Sequence, residues 1–231
     1  MKKKFIKDII VPGATDLTEE QITETIQAYS KNASSYARMW SWNPAHREEI
    51  KDQQIIKFTH YSESGSKVLV AGAGTGRDLE ILVDEGFECT ALDVSEQMLN
   101  EAKSRGIRSK YIVHDFRTKL PFPSTSFDAV YCESALEHVP KKEAKFVLQE
   151  FYRVLVPRGI LYIGAKKGEG EIYYRYDVGN KVNRRFYTTY DDVEFHQLLA
   201  QTDFSVIEFW IDDHFDRQTH RWLSAIVRRN S

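Results

Sequence analysis

Hydrophobic positions along the chain follow two rhythms that meet near Lys67. Before it the spacing is helical. Thr18-Glu19-Glu20-Gln21 has capping-box spacing, in which the Thr18 hydroxyl and the Gln21 amide satisfy each other's free backbone N–H groups. Asn43-Pro44 is a second start signal, with Ile50, Ile55 and Phe58 facing a core and Ser62-Glu63-Ser64-Gly65 as the stop. Beyond Lys67, short apolar runs alternate with helical patterns. Val68-Leu69-Val70-Ala71, Thr90-Ala91-Leu92, Tyr111-Ile112-Val113, Phe127-Asp128-Ala129-Val130-Tyr131 and residues 160–165 read as strands. Helices are expected from the glycine loop to about Glu85, from Ser95, and from Pro140. The last carries Ala144, Val147, Leu148, Phe151, Val154 and Leu155 on one face. The turn Pro157-Arg158-Gly159 introduces the strand at 160–165. Thr189 is the expected N-cap of a helix bearing Phe195, Leu198 and Leu199, with Asp191 and Asp192 in its first turn. Residues 205–211 and 220–227 read as two strands joined by a polar loop at 212–216. Repeated strand–helix units imply an α/β fold with a mostly parallel sheet covered on both faces, closed by an antiparallel edge hairpin.

Composition narrows the class. With 231 residues, 42% hydrophobic and 29% charged, the chain suits one globular α/β domain. A net charge of -2 argues against nucleic acid as a partner, and leaves Arg184-Arg185 and Lys166-Lys167 as solvated loop charge or contacts for one acidic group. Cys89 and Cys132 lie in apolar runs, fit a reducing compartment, and show no zinc-ligand spacing. Lys7 and Asp8 break the apolar stretch near the N-terminus, so a signal peptide is not expected, and no run is long enough to span a bilayer. The expectation is a cytoplasmic monomer or homodimer.

The chemistry concentrates after the first strand. Gly72-Ala73-Gly74-Thr75-Gly76 lets the backbone approach a ligand beyond the strand ends of a parallel sheet. A dinucleotide loop reads G-x-G-x-x-G, whereas here Arg77 holds the sixth position. Asp93 ends the next strand, where a carboxylate accepts bonds from both hydroxyls of an adenosine ribose, in NAD and adenosylmethionine alike. Asp115 follows the third strand and suits an adenine amino group. A helix N-cap or turn role is the plain alternative for both aspartates.

Taken together, these segments resemble the class I, Rossmann-like S-adenosylmethionine-dependent methyltransferases. Val68-Leu69-Val70-Ala71-Gly72-Ala73-Gly74-Thr75-Gly76-Arg77 looks like that family's motif I, and Ala91-Leu92-Asp93-Val94-Ser95-Glu96-Gln97-Met98-Leu99 like its G-x-D-x-S-x-x-M-L segment. Leu120-Pro121-Phe122-Pro123, Ser126-Phe127-Asp128-Ala129-Val130-Tyr131, Leu136-Glu137-His138-Val139 and Arg153-Val154-Leu155-Val156-Pro157-Arg158-Gly159-Ile160-Leu161 follow in the family's order. The resemblance is strong over residues 66–165. It implies a doubly wound, seven-stranded sheet in a single domain, residues 1–231, with an N-terminal helical cap (1–65) and a Rossmann-like core (66–231) that carries a lid at about 166–188. It also implies S-adenosylmethionine as cofactor, S-adenosylhomocysteine as product, and a small-molecule acceptor. By position, Gly72, Ala73, Gly74 and Gly76 would line the methionine side and Asp93 would hold the ribose. Val94 and Met98 would lie near the adenine, Asp115 and Phe116 would flank it, and Glu133 and Ser134 would close the site. Val70 departs from the pattern, since the family commonly has there an acidic residue that helps hold the methionine amine.

Methyl transfer is an in-line displacement that depends mainly on alignment. His138 and Glu133 are the candidate bases for an acceptor that must lose a proton; packing or capping is the alternative for His138. Substrate selection is expected from Tyr29 and Tyr36 in a Y-x(6)-Y segment, and from Tyr173, Tyr174, Arg175, Arg185 and Tyr187, where aromatics interleave with arginine. Two rival readings are a cofactor-binding sensor or assembly factor without turnover, motivated by Val70, and an NAD-dependent oxidoreductase.

Overall fold

The computed structural model describes residues 19–41, 54–178, 181–216 and 220–231. Thr18, Asn43-Pro44 and Ile50, and with them the two expected helix starts, lie outside these residues. Helices α1 (Glu19–Lys31) and α2 (Ala33–Ser41) precede a short α3 (Ile56–Thr59). Then come β1 (Lys67–Ala71), α4 (Arg77–Asp84), β2 (Glu88–Asp93), α5 (Glu96–Ser104), β3 (Lys110–Val113) and β4 (Phe127–Cys132). A 3-10 turn, Leu136–His138, leads into α6 (Lys141–Val154), β5 (Leu155–Lys166), the hairpin β6 (Glu171–Val178) and β7 (Lys181–Thr188), α7 (Asp192–Ala200), β8 (Phe204–Asp216) and β9 (His220–Arg229).

Seven strands form one sheet in the order β3-β2-β1-β4-β5-β9-β8, parallel except where β9 pairs antiparallel with β5 and β8. Alternation along β1 makes the doubly wound core. Leu69 and Ala71 join the face covered by Val147, Leu148 and Phe151 of α6, while Val68 and Val70 join the opposite face with Phe58 of α3 and Leu79 and Leu82 of α4. On that second face the Phe58 ring centre lies 5.5 Å from Phe87 and 5.4 Å from Tyr131. Among the described N-terminal residues, Ile55 and Phe58 therefore pack on the sheet, while α1 lies against β7 and α5 and α2 against α5.

Three local expectations are corrected. Asp191, not Thr189, caps α7: its carboxylate accepts the Glu194 N–H at 2.8 Å and Glu194 returns the bond, because Glu194 stands three residues after Asp191. Residues 212–216 continue β8 rather than forming a loop, since ladder bonds to β9 extend through Asp212 and Asp216 irrespective of side-chain polarity. The turn at Pro157-Arg158-Gly159 lies inside β5 as an irregularity opposite Phe127 and Ala129. Arg158 adopts φ 65° there. Cys89 and Cys132 are buried free thiols, and burial pushes Cys89 up to about 12. Among the described residues no helix is long and apolar enough to cross a membrane.

Candidate functional site

Sheet order reverses between β1 and β4, and a cavity of about 540 Å³ opens beyond the C-terminal ends of these two strands. The glycine loop forms its floor. Gly72 has φ 73°, and a Cβ placed on it would lie 2.3 Å from the Ala135 Cβ, so the loop and the segment after β4 approach closely only because position 72 has no side chain. Gly74 has φ 53° and packs beside Met98. Gly76 has a different task. It lies outside the cavity lining, where a Cβ would meet Ile107 and Ala102 at 2.7 and 2.9 Å, and it brings α4 close to α5.

Asp93 stands at the end of β2, opposite the loop. Its Oδ2 accepts the Gly74 N–H at 2.9 Å and its Oδ1 the Ser95 N–H at 2.8 Å, and the carboxylate lines the cavity with lone pairs to spare. Burial raises its pKa, and these backbone bonds oppose the rise. Ser95 then caps α5 by accepting the Met98 N–H. Val94 stays 37% exposed and, with Met98 and Phe116, gives this end an apolar wall. Asp115 lines the same end, but Arg117 clamps both of its oxygens through Nε and Nη2, at 2.6 to 3.2 Å. This bidentate pair takes up most of the acceptor capacity expected to serve an adenine amino group.

At the end of β4, Glu133 is buried. Its Oε2 accepts the Tyr162 hydroxyl at 2.8 Å, in space that exists because Gly164 has no Cβ: one there would sit 1.8 Å from that oxygen. Burial pushes Glu133 up to about 7 against the opposing field of Arg77, whose guanidinium is tied to Asp78 at 2.6 and 2.8 Å. Ser134 follows at φ 55°, a left-handed conformation at the cavity wall. Val70, by contrast, is core, registered against Ala91 and Tyr131.

The far end belongs to α1, the 3-10 turn and β7. The Phe186 carbonyl accepts a bond from His138 Nδ1 at 2.9 Å, which fixes the Nδ1–H tautomer. Nε2 then accepts the Tyr29 hydroxyl at 2.9 Å. Burial pushes His138 down to about 3. The Phe186 N–H donates to Thr25 Oγ1 at 2.9 Å, so one residue of β7 ties the hairpin to both the cap and the 3-10 turn.

Of the expected substrate residues, Tyr29, Tyr36, Arg185 and Tyr187 meet in this cavity. Tyr173 bonds instead to Glu24 of α1, outside the lining. Tyr174 and Arg175 lie on β6 with their side chains outside the described set. Glu137, Trp222 and Thr25 also line the cavity, although none was singled out as a candidate, and Lys166, weighed as solvated charge or as a contact for an acidic group, joins them. Glu137 stands beside His138 in a motif already singled out. Thr25 falls between Ile22 and Tyr29, three to four residues from each, on a face that helical spacing could have revealed.

Residues 69–163 match a family model described as "Methyltransferase domain". A sterol 24-C-methyltransferase of Gibberella zeae is 33% identical over 175 residues, covering 68% of this chain and 45% of that one. The chain spans less than two thirds of the length of the curated relatives it matches. Among solved structures, the 1,6-didemethyltoxoflavin-N1-methyltransferase of Burkholderia thailandensis, bound to 1,6-didemethyltoxoflavin and S-adenosylhomocysteine, is similar with TM-score 0.72. Identity is 18%, over 96% of this chain and 95% of that one. The DhpI–SAM–HEP complex is similar with TM-score 0.76 at 19% identity, over 92% and 100%. At these identities the structural likeness is one of fold.

Proposed function

We propose that this chain, whose residues 69–163 match a methyltransferase-domain model, is an S-adenosylmethionine-dependent methyltransferase of the class I, Rossmann-like family acting on a small molecule. The observation that carries this is Asp93, its carboxylate oriented by the N–H groups of Gly74 and Ser95 and facing a cavity at the sheet's switch point. The donor set fits the cofactor: a side-chain-free floor at Gly72 and Gly74, a carboxylate for vicinal hydroxyls, and an apolar wall of Val94, Met98 and Phe116 for a base. When bound, S-adenosylmethionine supplies a methyl group on a sulfonium and leaves as S-adenosylhomocysteine.

The chain's own residues bind and align. Gly72, Ala73 and Gly74 admit the methionine portion, and Glu133 replaces the acidic residue lost at Val70 as the anchor for its ammonium group. The pair Tyr29 and His138 closes the far end and excludes water. We assign His138 a positioning role, because its Nε2 is occupied by Tyr29 and its proton affinity is low. Alignment of this kind supplies roughly 7–11 kcal/mol of barrier reduction. We place the chain in the cytoplasm as a single domain, with its two free buried cysteines suited to a reducing compartment.

The test is transfer of label from methyl-labelled S-adenosylmethionine to a fractionated small-metabolite extract. Label in a protein-dependent fraction is expected. Cofactor binding with no transfer to any fraction would favour a sensor instead.

A further inference from the structure

Strand register places Val70, Tyr131 and Tyr162 in one row across the sheet: Val70 pairs with Tyr131, and Tyr131 with Tyr162. The two tyrosine rings stack with centres 4.5 Å apart at 11°. One step past the last pair of β4 and β5, Cys132 with Ile163, come Glu133 and Gly164, on the face that carries Tyr131 and Tyr162. Gly164 is in turn registered against Ser224 of β9. Glu133, Gly164 and Ser224 thus form the next row, and the Tyr162 hydroxyl reaches it. That hydroxyl donates to Glu133 Oε2 at 2.8 Å and lies 3.4 Å from Ser224 Oγ.

Tyr162 is buried and outside the cavity lining, whereas Glu133 is buried and lines it. The bond between them therefore holds a cavity group from behind. A second donor, Ser134 Oγ, reaches Glu133 Oε1 at 3.3 Å. Both donors are neutral, and the carboxylate keeps acceptor sites to spare. Asp78 also lines the cavity, but Arg77 engages both of its oxygens, at 2.6 and 2.8 Å. Burial pushes Glu133 up to about 7 even against the field of Arg77, so its ionised form gains from a further cation beside it. Val70 offers that cation no charge. The carboxylate at the end of β4 does.

We propose that Tyr162 is a positioning residue for the cofactor: its hydroxyl, with the space left by Gly164, holds the Glu133 carboxylate where the cofactor's ammonium group meets it. This rests on the methyltransferase reading above and on the role given there to Glu133. A hydrogen bond to a charged acceptor is strong enough to select one rotamer of a side chain that otherwise has several. Without the hydroxyl the carboxylate is free to turn in the space beside Gly164, and its contact with the ammonium weakens. Because Tyr162 lies outside the lining, only the part of binding that depends on the amine should register its loss.

The experiment is calorimetric titration of the full chain with S-adenosylhomocysteine and with its desamino analogue, which keeps the carboxylate and lacks the ammonium. Tyr162→Phe keeps the ring and its stacking on Tyr131. It should weaken S-adenosylhomocysteine about tenfold and leave the desamino analogue within about twofold. Glu133→Gln should show the same selective loss. Adding Tyr162→Phe to it should cost no more than about twofold further, because the hydroxyl acts through the carboxylate. Cooperative thermal unfolding of each variant establishes that it is folded. Gly164→Ala, which crowds Glu133 from the other side, is a second route to the same selective loss if Tyr162→Phe does not fold. Equal weakening of both ligands by Tyr162→Phe, unchanged S-adenosylhomocysteine affinity in a folded Tyr162→Phe, Glu133→Gln or Gly164→Ala variant, or additive losses in the double variant would overturn the proposal. So would equal affinity of the wild-type chain for the two ligands. Failure of the wild-type chain to bind S-adenosylhomocysteine would instead overturn the methyltransferase reading.

Discussion

Gly72 offers a sharp test of how the floor of the cavity is built. Gly72→Ala adds a methyl group 2.3 Å from the Ala135 Cβ, a separation that bonded neighbours alone approach, and does so at φ 73°. The left-handed backbone costs an alanine roughly 1–2 kcal/mol. Relief of the clash requires the loop and the segment after β4 to move apart, an overpacking cost of about 1–3 kcal/mol. Neither partner is a flexible side-chain tip. The sum, about 2–5 kcal/mol, should appear in urea denaturation as a lowered midpoint with unchanged slope. A second variant separates the two terms. Ala135→Gly removes the methyl group that Gly72→Ala strikes, so the double variant should recover the steric part and keep the backbone part. A coupling of about 1–3 kcal/mol is expected from the cycle. Additive effects, with coupling under about 0.5 kcal/mol, would refute the claim that position 72 is glycine because of Ala135.

Other consequences follow from the same geometry. Asp93→Ala should weaken S-adenosylhomocysteine binding by about 1–3 kcal/mol, roughly 5- to 150-fold in Kd by calorimetry; an unchanged Kd in a folded variant would remove Asp93 from the site. Arg158→Gly should stabilise the chain by about 0.5–1 kcal/mol, because relief of φ 65° exceeds the entropy cost of glycine, and a lowered urea midpoint would contradict it. Glu137 and Glu133 are held above the ordinary carboxylate range, at about 8 and about 7, mainly by burial. Below about pH 4.5 folded and unfolded chains both hold these protons. As pH rises further only the folded chain does, so this contribution to stability is lost between about pH 4.5 and 8. Glu137→Gln should therefore flatten the fall of Tm between pH 5 and pH 8.5, and an unchanged or steeper fall would contradict the placement.

The parallel core and the cofactor end were legible because each depends on local spacing. Buried runs such as Val68-Leu69-Val70-Ala71 identify strands, and a glycine loop followed by Asp93 one strand later identifies a ligand crevice. The far end was less legible because it is assembled from distant pieces. Tyr29, His138, Lys166 and Arg185 come from four elements, and no spacing joins them. Two further signals stand in the sequence. Gly179-Asn180 between two alternating runs is a hairpin signature for β6 and β7. Asp191 with Glu194 three residues on is a capping box, and it outcompetes Thr189, whose hydroxyl instead donates to the Gly170 carbonyl. The pairing of Asp115 with Arg117 was not legible either, because the sequence permits it but does not require it.

The central claim is that the crevice beyond β1, β2 and β4 takes adenosylmethionine and not a dinucleotide. Calorimetric titration of the purified chain with S-adenosylmethionine, S-adenosylhomocysteine and NAD tests it in one set of experiments. The account predicts saturable one-to-one binding of both sulfur nucleosides, weakened by Asp93→Ala, and no measurable heat from NAD. Saturable binding of NAD with no response to either sulfur nucleoside would contradict it.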